Sequence, residues 1–362
     1  MKRLSRTTVE LQRRAAHRKM LKEVRSKSIL LEHARRILQK NKVPTTRKVK
    51  FSEIITLSRT SDRQLLIDSI EQMKKYAYDP LVNKIILDFS EIKELNSCGT
   101  LLLAAQIERI INSSESTVTI EATYPSNSTV EQMFQHIGLL EKLGLAPRFA
   151  KLDSSDVIPW LYVSGYEGDL ESVAENLPRI LVEGSNLKLR MALLSGMAEA
   201  VANSSEHAYD VTPAGNGIGK EDQKWWLFAR QVDEYIVVVI CDLGHGIPGT
   251  LEANWKEELA SVLKTRSGMK RKDHKMIELA FTVGRSSTSE KHRGKGLKDI
   301  LKVVKEQKVG SLSIYSNKGS YSIDNVKGTN YSGDDKSSIS GTIIQWNVPI
   351  EAFGSIEQKE KP

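Results

Sequence analysis

A chain of 362 residues, 40% hydrophobic and 27% charged, is long enough for two or three domains with separate cores. No run of about 18 uncharged apolar residues occurs, so no membrane span is expected, and MKRLSRTTVELQRR at the start lacks the apolar core of a secretory signal. The net charge of +8 is uneven: residues 1–50 carry 17 Lys/Arg against 3 Glu, or +14, which leaves −6 on the remainder.

The basic excess belongs to an arm, residues 1–44. Its apolar residues Met20, Leu21, Val24, Leu30, Leu31, Ala34 and Leu38 fall three or four apart with one wider gap, which predicts an amphipathic helix ended by Pro44. Such an arm either binds acidic or phosphate-rich partners, nucleic acid included, or docks on its own protein with a solvated basic face. It has no Trp, Tyr or Phe to stack on bases, which weakens a single-strand reading.

Residues 45–150 alternate in type. VKFSEIITLS reads as a strand, and SDRQLLIDSIEQMKKYAYD as a helix capped by Ser61 or Asp62. KIILDFS reads as a buried central strand. SCGTLLLAAQIERIINS is a second helix, STVTIEAT a strand, and STVEQMFQHIGLLEKLGL a third helix. This order predicts an α/β sandwich.

After a polar joint at LDSSDVI, residues 151–362 read as a strand at WLYVS and helices at DLESVAENLPRILV and NLKLRMALLSGMAEAVANSSEHAY. A hairpin, WWLFAR and YIVVVICD, follows. A long polar and basic segment, 248–293, then leads to the helix GLKDILKVVKEQ and the strands SLSIYS, GSYSI and GTIIQWNVP. Residues 325–341 read as a mobile loop. Helices first and antiparallel strands after predict an α+β domain with its helices on one sheet face. Cys98 and Cys241, the only cysteines, form no metal-ligand pattern, which points to free thiols in a reducing cytoplasm.

Three stretches carry chemistry. Glu199, Asn203 and His207 recur every four residues, so a helix puts them within about 80° of one face. An Asn carbonyl suits a hard cation, Mg²⁺ takes remaining ligands from water and phosphate, and a carboxylate one turn away can accept a proton. The same three residues also suit a plain exposed polar face. In CDLGHGIPG, Asp242 ends a strong strand, where it can accept from an exocyclic amine, and Gly244 and Gly246 let the backbone approach a flat ring. Such a turn is otherwise an ordinary strand exit. In GRSSTSEKHRGKGLKDI, Gly294-Lys295-Gly296 opens a helix whose backbone N–H groups can bind an anion. It is not the dinucleotide fingerprint, because no strand precedes it.

In order and context these stretches resemble the Bergerat-fold ATPases (the gyrase, histidine kinase and MutL group), over residues 151–352. E-x-x-x-N-x-x-x-H of 199–207 is similar to their N box, DLGHGI to G1 and RGKGL of 293–297 to G2, with the ATP lid between G1 and G2. The likeness is greatest to the serine kinases that act as anti-sigma factors. The resemblance implies Mg·ATP binding, with Glu199 as general base or water-positioner and Asn203 on Mg²⁺. It places Asp242, Gly244, Gly246 and Ile247 at the adenine and Gly294, Lys295, Gly296 and Leu297 around the phosphates. Arg285, Ser286 and Thr288 fall in the lid, and His207 either joins the site or only orients its neighbours.

Residues 87–110 with 133–145 resemble a STAS domain, the fold of anti-sigma factor antagonists. Regulated members carry an Asp-Ser-Ser-Gly loop whose second serine is phosphorylated. Here the loop reads Asn96-Ser97-Cys98-Gly99, so cysteine stands at the acceptor position; Ser97 or Thr100 could substitute, or the fold is a scaffold kept for packing and docking. The expectation is therefore a multidomain cytoplasmic regulator: a basic helical arm (1–44), a STAS-like domain (45–150) and a Bergerat-fold domain (151–362). It binds Mg·ATP, hydrolyses it slowly and signals to a protein partner of the STAS or sigma/anti-sigma type. The alternatives are a serine kinase acting on a separate STAS partner, and a nonenzymatic ATP-binding scaffold whose arm contacts nucleic acid. Bergerat domains frequently dimerise, so a homodimer stays open, although no residue marks a seam.

Overall fold

The computed structural model describes residues 45–113, 116, 118–149, 161–168, 177, 181, 184–209, 223–254, 272–283 and 296–354. The basic arm lies outside the described residues. So does most of the helix expected over 169–182, of which Leu177 and Leu181 are described and buried.

The first half runs β1 (Thr45–Lys50), β2 (Ile54–Ile55), α1 (Thr60–Ala77), β3 (Val82–Asp88), β4 (Glu94–Leu95), α2 (Ser97–Asn112), β5 (Thr119–Ala122), α3 (Ser128–His136) and α4 (Leu139–Lys142). β3 is apolar because it is the middle of a parallel sheet ordered β1-β3-β5, as its sequence predicts. Three local expectations are corrected. The strand expected over 49–58 is two: the chain leaves the sheet at Phe51, Ser52 Oγ donates to the Ile54 carbonyl at 3.0 Å, and β2 pairs with β4 instead. α1 starts after Arg59, with no side-chain cap, and Asp62 lies in the first turn, where the helix dipole favours a carboxylate. The helix expected over 128–145 breaks at Gly138, whose φ of 70° ends one helix and begins the next.

The second half runs β6 (Leu161–Gly165), α5 (Leu187–Glu206), β7 (Trp225–Val232), β8 (Tyr235–Asp242), α6 (Gly246–Asn254), α7 (Asp273–Val283), α8 (Gly296–Lys305), β9 (Ser311–Ser316), β10 (Gly319–Asp324), β11 (Thr329–Asp334) and β12 (Thr342–Pro349). Seven strands form one sheet in the order β11-β10-β9-β12-β8-β7-β6, and every pairing is antiparallel. β11 corrects the loop expected over 325–341. Asp324 Oδ1 accepts from the N–H groups of Val326 and Lys327 and turns the chain back onto β10. Its polar composition hid it, because it is the outermost strand. α6 and α7 occupy parts of the segment read as polar and basic and, by the resemblance, as the place of the ATP lid.

Strand alternation sorts the side chains between two layers. Ile236, Val238 and Ile240 of β8, with Leu227, Ile344 and Trp346, pack against α5 and α8. Val237, Val239 and Cys241, with Trp226, Phe228 and Ile343, face the other way and join the core of the first half. Among the described residues α5 and α8 lie on one face, as expected. The opposite face is covered by α2, so the two halves share one continuous core.

Polar contacts fix this junction. Glu108 of α2 is buried and accepts from Lys142 and Lys224, and from Tyr162 Oη at 2.8 Å. Burial alone would raise its pKa; the hydrogen bonds from Lys142, Lys224 and Tyr162 win and bring it down to about 2. A depressed carboxylate stabilises the fold above its unfolded pKa of about 4.3, and that contribution is lost as pH falls toward about 2. Two pKa units correspond to about 3 kcal/mol. Urea unfolding between pH 2 and 7 should show this loss in the wild type and a flatter profile in Glu108→Gln.

Candidate functional site

α5 is the long amphipathic helix of the second half, started by Asn186, whose Oδ1 accepts from Leu189 N–H at 3.2 Å. It presents Glu199 and Asn203 one turn apart, both half-buried. Asn203 Nδ2 donates to Glu199 Oε1 at 2.6 Å and to the Glu199 carbonyl at 2.8 Å. With its amide hydrogens committed to Glu199, the group that Asn203 can offer a cation is Oδ1. Burial raises the pKa of Glu199, the Asn203 hydrogen bond opposes this, and the negative charge of Asp299 adds to the rise.

The helix ends at Glu206 and His207 is its C-cap, near enough to Glu199 for its charge to oppose the rise of the Glu199 pKa. The N–H groups of His207 and Ala208 both return to the Asn203 carbonyl at 3.1 Å. The imidazole is 54% exposed, 3.9 Å from Glu206.

Asp242 is the last residue of β8, between Trp225 and Thr342 on the neighbouring strands, and it is buried. Alternation puts it on the α5 face. Its Oδ1 accepts from Gly244 N–H at 3.0 Å, and Ser204 Oγ of α5 lies 3.5 Å from Oδ2. Burial pushes its pKa up to about 6 despite hydrogen bonds from Gly244, Thr342 and Ser204. Gly244 is required here, since a Cβ would stand 2.2 Å from the Ala208 carbonyl oxygen. Gly246 has φ of 72° and lies against the Asn317 amide.

Contacts bring the three stretches together pairwise. His245 N–H donates to the Ala208 carbonyl at 2.8 Å, joining the β8 exit to the end of α5. Ser195 Oγ donates to Asp299 Oδ2 at 2.9 Å, joining α5 to the first turn of α8. Ile247 and Leu297 pack against the same small cluster, Leu251, Met276 and Ala280, joining the β8 exit to α8. Gly296 begins α8, while Arg285, Ser286, Thr288, Gly294 and Lys295 lie outside the described residues. Sequence reasoning did not single out Asp299, Ser204, Thr342 or Asn317. Asp299 sits in the first turn of the helix read from GLKDI, but only the fold places it beside Ser195.

Among the described residues no group of three or more His, Cys, Asp or Glu could hold a metal ion, so a cation at Asn203 would draw its other ligands from a bound anion and water. A groove of about 500 Å³ opens near the opposite end of α8, lined by Glu278, Val304, Lys305, Tyr321 and Ile323 among others, and touches none of these residues. Among the described residues no helix is long and apolar enough to cross a membrane. Comparison with family models, curated proteins and solved structures finds no match.

Proposed function

We propose that this chain is a cytoplasmic regulator that binds Mg·ATP in a Bergerat-fold half, residues 151–362, and signals through the STAS-like half, 45–150, fused to it. The observation that carries the reading is the pairwise meeting of the three stretches. A buried strand-end carboxylate, an Asn–Glu pair on an adjoining helix and the start of α8 converge from positions 199–203, 242–247 and 296–299. The antiparallel sheet with α5 and α8 on one face supports it.

The residues present fit the ligand. Asp242 offers a buried acceptor for an exocyclic amine, and Gly244 and Gly246 let the loop beside it close onto Ala208 and Asn317. Asn203 Oδ1 is available for Mg²⁺, which when bound would neutralise phosphate charge. Glu199 is held by Asn203 and has its pKa raised, which makes it a stronger proton acceptor for an attacking water or hydroxyl. Glu199→Gln should leave Mg·ATP affinity within about threefold and lower ADP release by about 10²-fold or more. Unchanged ADP release would remove Glu199 from the chemistry.

Transfer to the chain's own acceptor-position loop has no support. Ser97 is 6% exposed and Thr100 1%, and Cys98 Sγ donates to Gln345 Oε1 of β12 at 2.7 Å. This loop lies on the sheet face opposite Asp242. Burial also drives the Cys98 thiol pKa far up, so it is no nucleophile. The acceptor of a transferred phosphoryl group is therefore not Ser97, Cys98 or Thr100, and water or a separate protein fits the proposal. Calorimetry with ATP and Mg²⁺, followed by mass analysis for ADP and phosphorylated residues, tests the proposal. Absence of any adenine nucleotide uptake by folded protein would end it.

A further inference from the structure

The loop assigned to the base is held from outside its own half. Leu243 is buried between Asp242 and Gly244, and side chains take both its backbone polar groups. Its N–H donates to Tyr209 Oη at 3.0 Å, and its carbonyl accepts from Arg109 Nη1 at 3.0 Å. Tyr209 follows α5, but Arg109 belongs to α2, in the first half.

The Leu243 carbonyl and the Gly244 N–H are two ends of one planar peptide. One end is fixed by Arg109, and the other donates to Asp242 Oδ1 at 3.0 Å. Rotating that peptide would swing the donor off the carboxylate. A second guanidinium acts on the same loop through one intermediary. Arg63 of α1, 1% exposed, pairs with Asp335 at 3.0 Å and donates to the Asn317 carbonyl at 3.3 Å. The Asn317 side chain in turn donates to the His245 carbonyl at 2.8 Å. Packing alone could join the halves; a charged donor aimed at one carbonyl fixes a peptide's direction.

We infer that Arg109 is a positioning residue for base recognition: it orients the Leu243–Gly244 peptide, and through it Asp242, so that nucleotide affinity and base choice depend on the docked first half. The inference rests on the nucleotide reading above. It has a reciprocal consequence, because nucleotide binding must then tighten the docking of α2 by the same factor.

Calorimetry on the full chain with Mg·ATP and Mg·GTP tests this in wild type, Arg109→Met, Arg109→Lys and Gln345→Ala. Guanine presents an acceptor where adenine presents the amine, so the ratio of the two affinities reports the aim of Asp242. Arg109→Met should lower ATP affinity about tenfold, the scale of one charged hydrogen bond, and move the ATP/GTP ratio toward one. Arg109→Lys should recover part of both. Gln345→Ala loosens the same interface at Cys98 and should lower melting temperature without changing the ratio. If Arg109→Met keeps affinity and ratio, or if Gln345→Ala shifts the ratio equally, Arg109 has no specific role. If the wild type takes up neither nucleotide, it is the site assignment itself that fails.

Discussion

Asp242→Asn should remove adenine nucleotide binding and at the same time raise the stability of the protein. The carboxylate is buried at the end of β8, and burial lifts its pKa to about 6 against the pull of Gly244, Thr342 and Ser204. A carboxylate with a raised folded pKa destabilises the fold as pH climbs from its unfolded value of about 4 through about 6. At pH 7 the ionised group costs about 3 kcal/mol, two pKa units' worth. Asparagine cannot ionise, its carbonyl still accepts from a backbone N–H, and the hydroxyls of Ser204 and Thr342 can turn to accept from its amide; the fixed N–H groups of Gly244 and Thr342 must then share one oxygen, which offsets part of the gain. Melting at pH 7 should therefore rise by several degrees.

Binding should move the other way. An ionised carboxylate is the stronger acceptor for the adenine amine, and an amide nitrogen facing that amine repels it. Mg·ATP affinity should drop about 100-fold or more in Asp242→Asn, as happens when a buried site built for one hydrogen-bond pattern meets another. In the wild type, affinity should increase as pH rises through about 6. The variant should lack that component, and the difference between the two profiles cancels the titration of the phosphates themselves. Wild-type affinity in Asp242→Asn would show that this carboxylate does not read the base, whatever else the site holds.

What could be read beforehand followed from local periodicity. The four-residue spacing of Glu199 and Asn203 is a property of any helix, so their pairing was visible in the sequence. His207 obeys the same spacing, yet the helix ends at Glu206 because the chain must turn to bring Ala208 against Gly244 and His245. That constraint comes from 37 residues away and no local pattern carries it. β11 failed for a related reason. An outer strand needs no apolar face, so TNYSGD looks like loop until β10 is there to pair with it. Residues 284–295, which hold Arg285, Ser286, Thr288, Gly294 and Lys295, lie outside the described residues.

The joining of the halves was also written in the sequence, though not recognised there as such. SCGTLLLAAQIERI is apolar nearly all round, which marks a helix covered on every side. The parallel sheet of the first half can cover one side only. The other side meets Trp226, Phe228, Val237, Val239, Cys241 and Ile343, and the strands that carry them alternate with an equally apolar opposite face. Strands apolar on both faces require a layer on each side. The boundary drawn near residue 150 from composition therefore separates stretches of chain that share one core cluster, while the α5 and α8 face of the sheet has a cluster of its own.

Residues 151–362 expressed alone should accordingly fail to form a native state. Removing α2 uncovers six large apolar or thiol side chains on one sheet face, each contributing about 1.5–3 kcal/mol when buried. The sum, on the order of 10 kcal/mol, matches or exceeds the whole stability of an ordinary domain. Lys224 would lose its carboxylate partner and the Leu243 carbonyl its guanidinium. The fragment should aggregate, or stay soluble only as a state that binds ANS and lacks near-ultraviolet circular dichroism. Co-expression with residues 1–150 should restore a soluble complex, because the contacts between the pieces need no covalent link. A fragment 151–362 that unfolds cooperatively and shows native near-ultraviolet signal would mean that α2 is an optional cover. The sheet would then sustain itself with one face open, and coupling between the halves would be reversible docking of two finished domains.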